Sequence, residues 1–158
     1  MPFRSFLNVN SICIDKTARS KTAVLLKVSQ ILNSTHPQLD VDTLFNAYWK
    51  RECMGSTTIG HGIMIPHIRC ETIENLSACL LKLQNPIDFG ADDKQPIYLV
   101  LALLVPSTHI DEHLKTLSRI IQEFSKPDFR RACRESDLSE LASILTQQKI
   151  NELTDCAI

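Results

Sequence analysis

The chain has 158 residues, 44% hydrophobic and 22% charged, with a formal net charge of −1. That length fits one domain with a sizeable core, and the charge leaves no electrostatic footprint for a nucleic acid or an anionic membrane surface. No apolar run approaches the roughly 18 residues of a membrane span. The longest, "IYLVLALLV" from Ile97 to Val105, has the length of a buried strand.

The opening stretch "MPFRSFLNVNSICID" has no apolar core after its charge, so no secretory signal is read there and the expected compartment is the cytoplasm. "SICI", residues 11–14, is a strand candidate. Ser20 is placed to cap a helix over 21–33, with Val24, Val28, Ile31 and Leu32 on one face. Pro37 breaks the chain. Asp40 or Asp42 then caps a second helix over 43–52, with Leu44, Ala47 and Tyr48 on one side.

After a glycine-rich segment, "LSACLLKL" (76–83) reads as a strand and 97–105 as a central strand covered on both faces. Ile110, Leu114, Leu117, Ile121 and Phe124 then form an apolar helical stripe expected to face the core. Pro127 opens a short helix. Asp137 or Ser139 caps a last one, with Leu138, Leu141, Ile144 and Leu145 inward. The tail 151–158 is expected to fray. Interleaved strands and helices, one strand buried on both faces, predict a single α/β domain over 1–150. It is a three-layer α/β/α sandwich around a mixed sheet.

The chemistry concentrates around "GHGIMIPHIRC", Gly60 to Cys70. Three of the four glycines in the whole chain, Gly55, Gly60 and Gly62, fall just ahead of His67. Glycine allows positive φ and close approach to a ligand. Pro66 fixes its own φ and biases Ile65 towards extended geometry. A histidine presented this way suits nucleophilic or acid–base work, although the same pattern also suits a histidine that merely follows a turn. His113 lies beside the apolar stripe of its helix and is a second candidate. Arg51, at the end of a helix just before the glycines, carries a fork of donors suited to phosphate. Ser56 and Thr57 add hydroxyls and N–H groups.

Other patterns are weaker. "HIDEH", His109 to His113, matches H-x-x-E-H, but His109 follows "PST" directly and is expected to precede the helix, where the four-residue spacing loses its geometry. No nucleotide loop is present. The six cysteines contain no C-x-x-C pair and are all expected as thiols, with no metal site. Arg130, Arg131 and Arg134 share a helix with Asp128 and Glu135, which reads as a solvated face.

"RECMGSTTIGHGIMIPH", Arg51 to His67, resembles the phosphorylation-site segment of the enzyme IIA domains of the bacterial phosphotransferase system, in the fructose/mannitol class. Those domains read Arg-Glu, Ser-Thr, Gly-x-Gly and Ile-Pro-His. "NPIDFGADDKQPIYLVLALLVP" and "EHLKTLSRI" are similar to the family's strand and its helix with a second histidine. The likeness runs from about residue 5 to residue 147.

The resemblance implies that His67 accepts a phosphoryl group from a phosphohistidine carrier protein, with His113 as its active-site partner. Arg51, Ser56 and Thr57 would lie beside that group, with Gly60 and Gly62 forming the floor of the pocket. No metal or other cofactor is implied. Within the family the chain is most similar to the nitrogen-regulatory branch, which implies phosphorylation-dependent binding of regulatory target proteins. Delivery of phosphate to a sugar-pathway enzyme IIB is the alternative, and an interaction domain without phosphotransfer is a third reading. Four positions depart from the family pattern: Ile68 stands for a small residue, Met64 for alanine, Thr58 for glycine and His61 for asparagine.

Overall fold

The computed structural model describes residues 3–145; the expected tail 151–158 and the end of the expected domain lie outside the described residues. A short 3₁₀ turn, Phe3–Ser5, leads into β1 (Leu7–Asp15), then α1 (Lys21–Thr35) and α2 (Val41–Cys53). Three short strands follow: β2 (Thr58–Gly60), β3 (Ile63–Met64) and β4 (His67–Cys70). Next come β5 (Ser77–Ile87), β6 (Ile97–Pro106), α3 (Ile110–Phe124) and α4 (Pro127–Glu135). Residues 138–145 are helical as well.

The helix starts follow local chemistry. Ser20 Oγ accepts from the Ala23 N–H at 3.1 Å, and Asp40, not Asp42, accepts from the Thr43 N–H at 3.2 Å. Pro127 is the first residue of α4. Asp137 accepts from the Glu140 N–H at 2.8 Å, and Glu140 accepts from the Asp137 N–H at 3.3 Å. That reciprocal pair satisfies two backbone donors at the helix start.

The sheet is mixed, in the order β1-β5-β6-β3-β2, with β4 also on β6. β1 runs parallel to β5, β5 antiparallel to β6, and β3 and β4 parallel to β6. β3 and β4 occupy one lane beside β6, interrupted at Ile65–Pro66. Ile63 pairs with Leu99 and His67 with Leu103. β6 is buried on both faces: Val100 and Leu101 are both 0% exposed. Leu99, Leu101 and Leu103 pack with Phe3, Ile120, Phe124, Cys133 and Leu141 on one side. Val100, Ala102 and Leu104 pack with Val24, Val28, Leu44 and Tyr48 on the other. Helices therefore cover both faces, as expected for the three-layer α/β/α sandwich. Among the described residues no helix is long and apolar enough to cross a membrane.

Two faces differ from expectation. In α3 the buried residues are Thr116, Ile120 and Phe124, while Ile110, Leu114 and Ile121 are 39%, 56% and 39% exposed. The helix docks through Phe124 onto Phe3 and Phe129, whose ring centroids lie 5.6 and 5.3 Å away. Of the expected stripe, Phe124 is buried and Leu117 packs against the core, while Ile110, Leu114 and Ile121 turn outward. Leu138, expected inward, is likewise exposed, whereas Leu141 and Leu145 are buried.

Candidate functional site

His67 begins β4 directly after Pro66. The Pro66 carbonyl accepts from the Leu103 N–H at 2.8 Å, so the chain is anchored to β6 one residue before the imidazole. His67 Nδ1 lies 3.0 Å from the Ile65 carbonyl oxygen. A carbonyl only accepts, so Nδ1 carries the proton. In the neutral ring Nε2 then holds the lone pair. Local geometry thus selects one tautomer and leaves a nucleophilic nitrogen.

Next to it is a pocket of about 550 Å³. Among the described residues β4 has no neighbour beyond β6, so this sheet edge is open to helices from both faces. α2 contributes Lys50 and Arg51, Met54 follows directly after it, and α3 contributes His113 and Leu114. Among the described residues the lining includes three cations, Lys50, Arg51 and Arg69, and no carboxylate. An arrangement of that kind is suited to an anion. Lys50 and Arg69 escaped the sequence reading. Arg69 is two residues past His67 on the same strand, so strand alternation would have found it had 67–70 been read as β.

His113 completes the wall. Among the described residues its buried Nε2 has no hydrogen-bond partner, an arrangement that costs stability unless a ligand group answers it. Arg51 donates from one guanidinium nitrogen to the Gly55 carbonyl at 2.9 Å. That leaves donors of its five for a ligand. His67, His113 and Arg51, expected together, do share this pocket.

Ser56, Thr57, Gly60 and Gly62 do not line it. Thr57 is buried, and its hydroxyl donates to Glu52 Oε2 at 2.8 Å. Ser56 Oγ pairs with Thr58 Oγ1 at 2.9 Å. Gly60 lies beside Asp93 instead. Gly62 has φ +81°, and a Cβ there would stand 2.6 Å from Tyr98 Cδ1 and 2.9 Å from the Pro96 carbonyl oxygen. Its carbonyl accepts from the Tyr98 N–H at 2.9 Å. The glycine is required by that close approach to β6, so its place is in the scaffold and not on a pocket floor.

The four departures fall in different places. Met64 is 0% exposed and packs in the α1–α2 layer, away from the pocket lining. Thr58 sits in β2. His61 has φ +60°, a left-handed conformation that asparagine adopts more readily than most residues, and its N–H donates to Asp93 Oδ2 at 2.7 Å. Ile68 alone lines the pocket, but it also packs against the α1–α2 layer. Consecutive strand residues point to opposite faces, so Ile68 and His67 do not share one side.

His109, with φ +56°, is the residue before α3 and not part of it. It and His113 therefore do not form a helical four-residue pair.

The family description "Phosphoenolpyruvate-dependent sugar phosphotransferase system, EIIA 2" matches residues 5–149. The chain is 34% identical over 139 residues to a nitrogen regulatory protein of Pseudomonas aeruginosa, covering 88% of this chain and 86% of that protein. It is 39% identical over 132 residues to a nitrogen regulatory protein of Escherichia coli, covering 81% and 79%. Among solved structures, the nitrogen regulatory protein IIA-Ntr of Neisseria meningitidis superposes with a TM-score of 0.80 at 28% identity, over 89% of this chain and 97% of that one.

Proposed function

The chain belongs to the EIIA type-2 family of the phosphoenolpyruvate-dependent sugar phosphotransferase system, and on that premise we propose that His67 Nε2 is its phosphoryl acceptor. The observation that carries the reading is the 3.0 Å contact between His67 Nδ1 and the Ile65 carbonyl oxygen, which leaves Nε2 unprotonated. The donor is a phosphohistidine carrier protein. The Nε2 lone pair attacks phosphorus in line, the new N–P bond forms as the carrier's N–P bond breaks, and the carrier imidazole leaves with that bonding pair. The proton stays on Nδ1, hydrogen-bonded to the Ile65 carbonyl. Catalysis of this kind is positioning plus charge stabilisation. Arg51, Lys50 and Arg69 face the phosphoryl oxygens, and the orphaned His113 Nε2, when protonated, donates to one of them. The chemistry calls for no metal and no cofactor.

The role is regulatory, exercised in the cytoplasm. The likeness to nitrogen regulatory proteins over about four-fifths of the chain supports this branch. Phosphorylation of His67 would place an anion in a pocket whose lining has no carboxylate. Target proteins are then selected by the charge of that surface.

The test incubates the chain with phosphoenolpyruvate, enzyme I and the carrier. An acid-labile phosphate on wild type, lost in His67→Ala, is the expected result. Absence of label with every carrier tried sinks the phosphotransfer reading and leaves an interaction domain. Onward transfer of the label to an enzyme IIB would assign the chain to sugar transport instead.

A further inference from the structure

Glu52 is buried at the last turn of α2, 7% exposed, and does not line the pocket. Its Oε1 is 3.3 Å from the Thr57 N–H nitrogen and 3.1 Å from Lys21 Nζ. Its Oε2 accepts from Thr57 Oγ1 at 2.8 Å. One carboxylate thus holds both the backbone and the side chain of Thr57. A carboxylate this buried persists only when paired and hydrogen-bonded. Lys21, its counter-charge, comes from the first residue of α1 and also lies over the Phe89 ring, 5.5 Å from the centroid.

Thr57 passes the constraint on. Its carbonyl accepts from the Ile65 N–H at 2.9 Å. The Ile65 carbonyl in turn is the group 3.0 Å from His67 Nδ1. Only Pro66 stands between that carbonyl and His67, and its ring removes the φ freedom that would otherwise absorb a shift.

We propose that Glu52 is a positioning residue for His67: by fixing Thr57 it sets the Ile65 carbonyl, which holds the imidazole as the Nδ1–H tautomer with Nε2 unprotonated. No proton travels along the chain. The N–H and the C=O of Thr57 belong to different peptide units, as do those of Ile65, so the coupling is mechanical. Released from the carbonyl, the ring would distribute between tautomers, since the hydrogen bond made by one nitrogen decides which carries the proton. Seen this way, Arg51 and Glu52 divide the work: the arginine reaches the pocket and the glutamate sets the nucleophile's support.

The consequence for rate rests on the phosphotransfer reading above; the consequence for the tautomer does not. The experiment uses the full ¹⁵N-labelled chain as wild type, Glu52→Ala, Glu52→Gln and Thr57→Val. The imidazole ¹⁵N shifts of His67 are read in alkaline buffer. Initial phosphorylation rates are measured in parallel. Wild type should give a single Nδ1–H signature. Glu52→Ala should give a mixed one, with kcat for phosphorylation down about tenfold or more and KM for the carrier held. Glu52→Gln should recover most of both, because its amide accepts from the Thr57 N–H and donates to Thr57 Oγ1. Thr57→Val, the milder change, should move the signature part of the way.

A wild-type signature in folded Glu52→Ala, or in Thr57→Val should Glu52→Ala fail to fold, overturns the proposal. A wild type that takes no phosphate, yet whose tautomer shifts in the variants, leaves Glu52 as the positioning residue and removes only the phosphotransfer reading.

Discussion

The Tyr48 hydroxyl donates a 2.8 Å hydrogen bond to the carbonyl of Leu103, the β6 residue that pairs with His67. It ties α2, three residues before Arg51, to the sheet at the level of the imidazole. Tyr48 is 0% exposed, so water cannot replace the bond. Tyr48→Phe should therefore lower stability by about 1–2 kcal/mol in chemical denaturation. It should also slow phosphorylation, because Arg51 loses its reference to β6. An unchanged rate would mean that packing alone places α2.

His113 carries the opposite expectation. Its buried Nε2 has no partner among the described residues, and an unanswered buried polar atom is destabilising. His113→Leu should raise stability by about 1 kcal/mol while slowing phosphoryl transfer. A gain in melting temperature together with a loss of rate identifies the ring as kept for a ligand. A loss of both would assign it to the core.

Gly62 separates scaffold from pocket. A Cβ there meets Tyr98 at 2.6 Å, at φ +81°. Gly62→Ala should cost about 2–4 kcal/mol, from the left-handed backbone and from overpacking together. Equilibrium unfolding measures it. A variant as stable as wild type but poor at accepting phosphate would return the glycine to the phosphate site.

Ile68 was the departure from the family pattern closest to the acceptor. Strand alternation turns it away from His67, and it packs on the α1–α2 layer. Ile68→Gly is expected to lower the melting temperature and leave the rate of phosphorylation by the carrier unchanged. A faster reaction would show that the side chain narrows the entrance.

Asp15 sets an acid limit. Burial works against its ionisation, but the Ala18 N–H, Lys27 and Thr17 outweigh burial and hold its pKa below the ordinary value of 3.8. The Ala18 bond is 2.7 Å and Lys27 Nζ stands at 3.3 Å. A depressed carboxyl stabilises the fold at pH above its unfolded value, and the contribution disappears as pH falls through the folded one. Wild type should lose stability as pH drops below about 3.8. Asp15→Asn should be less stable at neutral pH and flatter across that window. Parallel slopes in pH-dependent unfolding would remove Asp15 from the account.

Much of the fold is local and so could be read directly. Ser20, Asp40, Asp137 and Pro127 begin helices because each satisfies or omits donors that the first turn leaves open. "IYLVLALLV" announces a strand buried on both faces because neither face of it is polar. Pro66 before His67, and an arginine a helix end away, mark one segment as unusual. Other features are written nowhere in the order of residues. β2, β3 and β4 are two to four residues long; pairing with a distant β6, not propensity, makes them strands. The outward turn of Ile110 and Leu114 comes from where Phe3 and Phe129 seat Phe124.

By itself, then, the sequence determined the α/β class, most helix starts and the identity of the presented histidine, because each depends on neighbours within a few residues. Only the tertiary structure decided which candidates meet. It put Arg51, Arg69 and His113 around His67 by leaving β4 at an open edge between α2 and α3. It sent Thr57 and Gly62 to the scaffold, because a buried carboxylate needs donors and a close-packed β6 leaves no room for a Cβ. Such contacts join residues far apart in the chain, and their energies exist only once the sheet has formed.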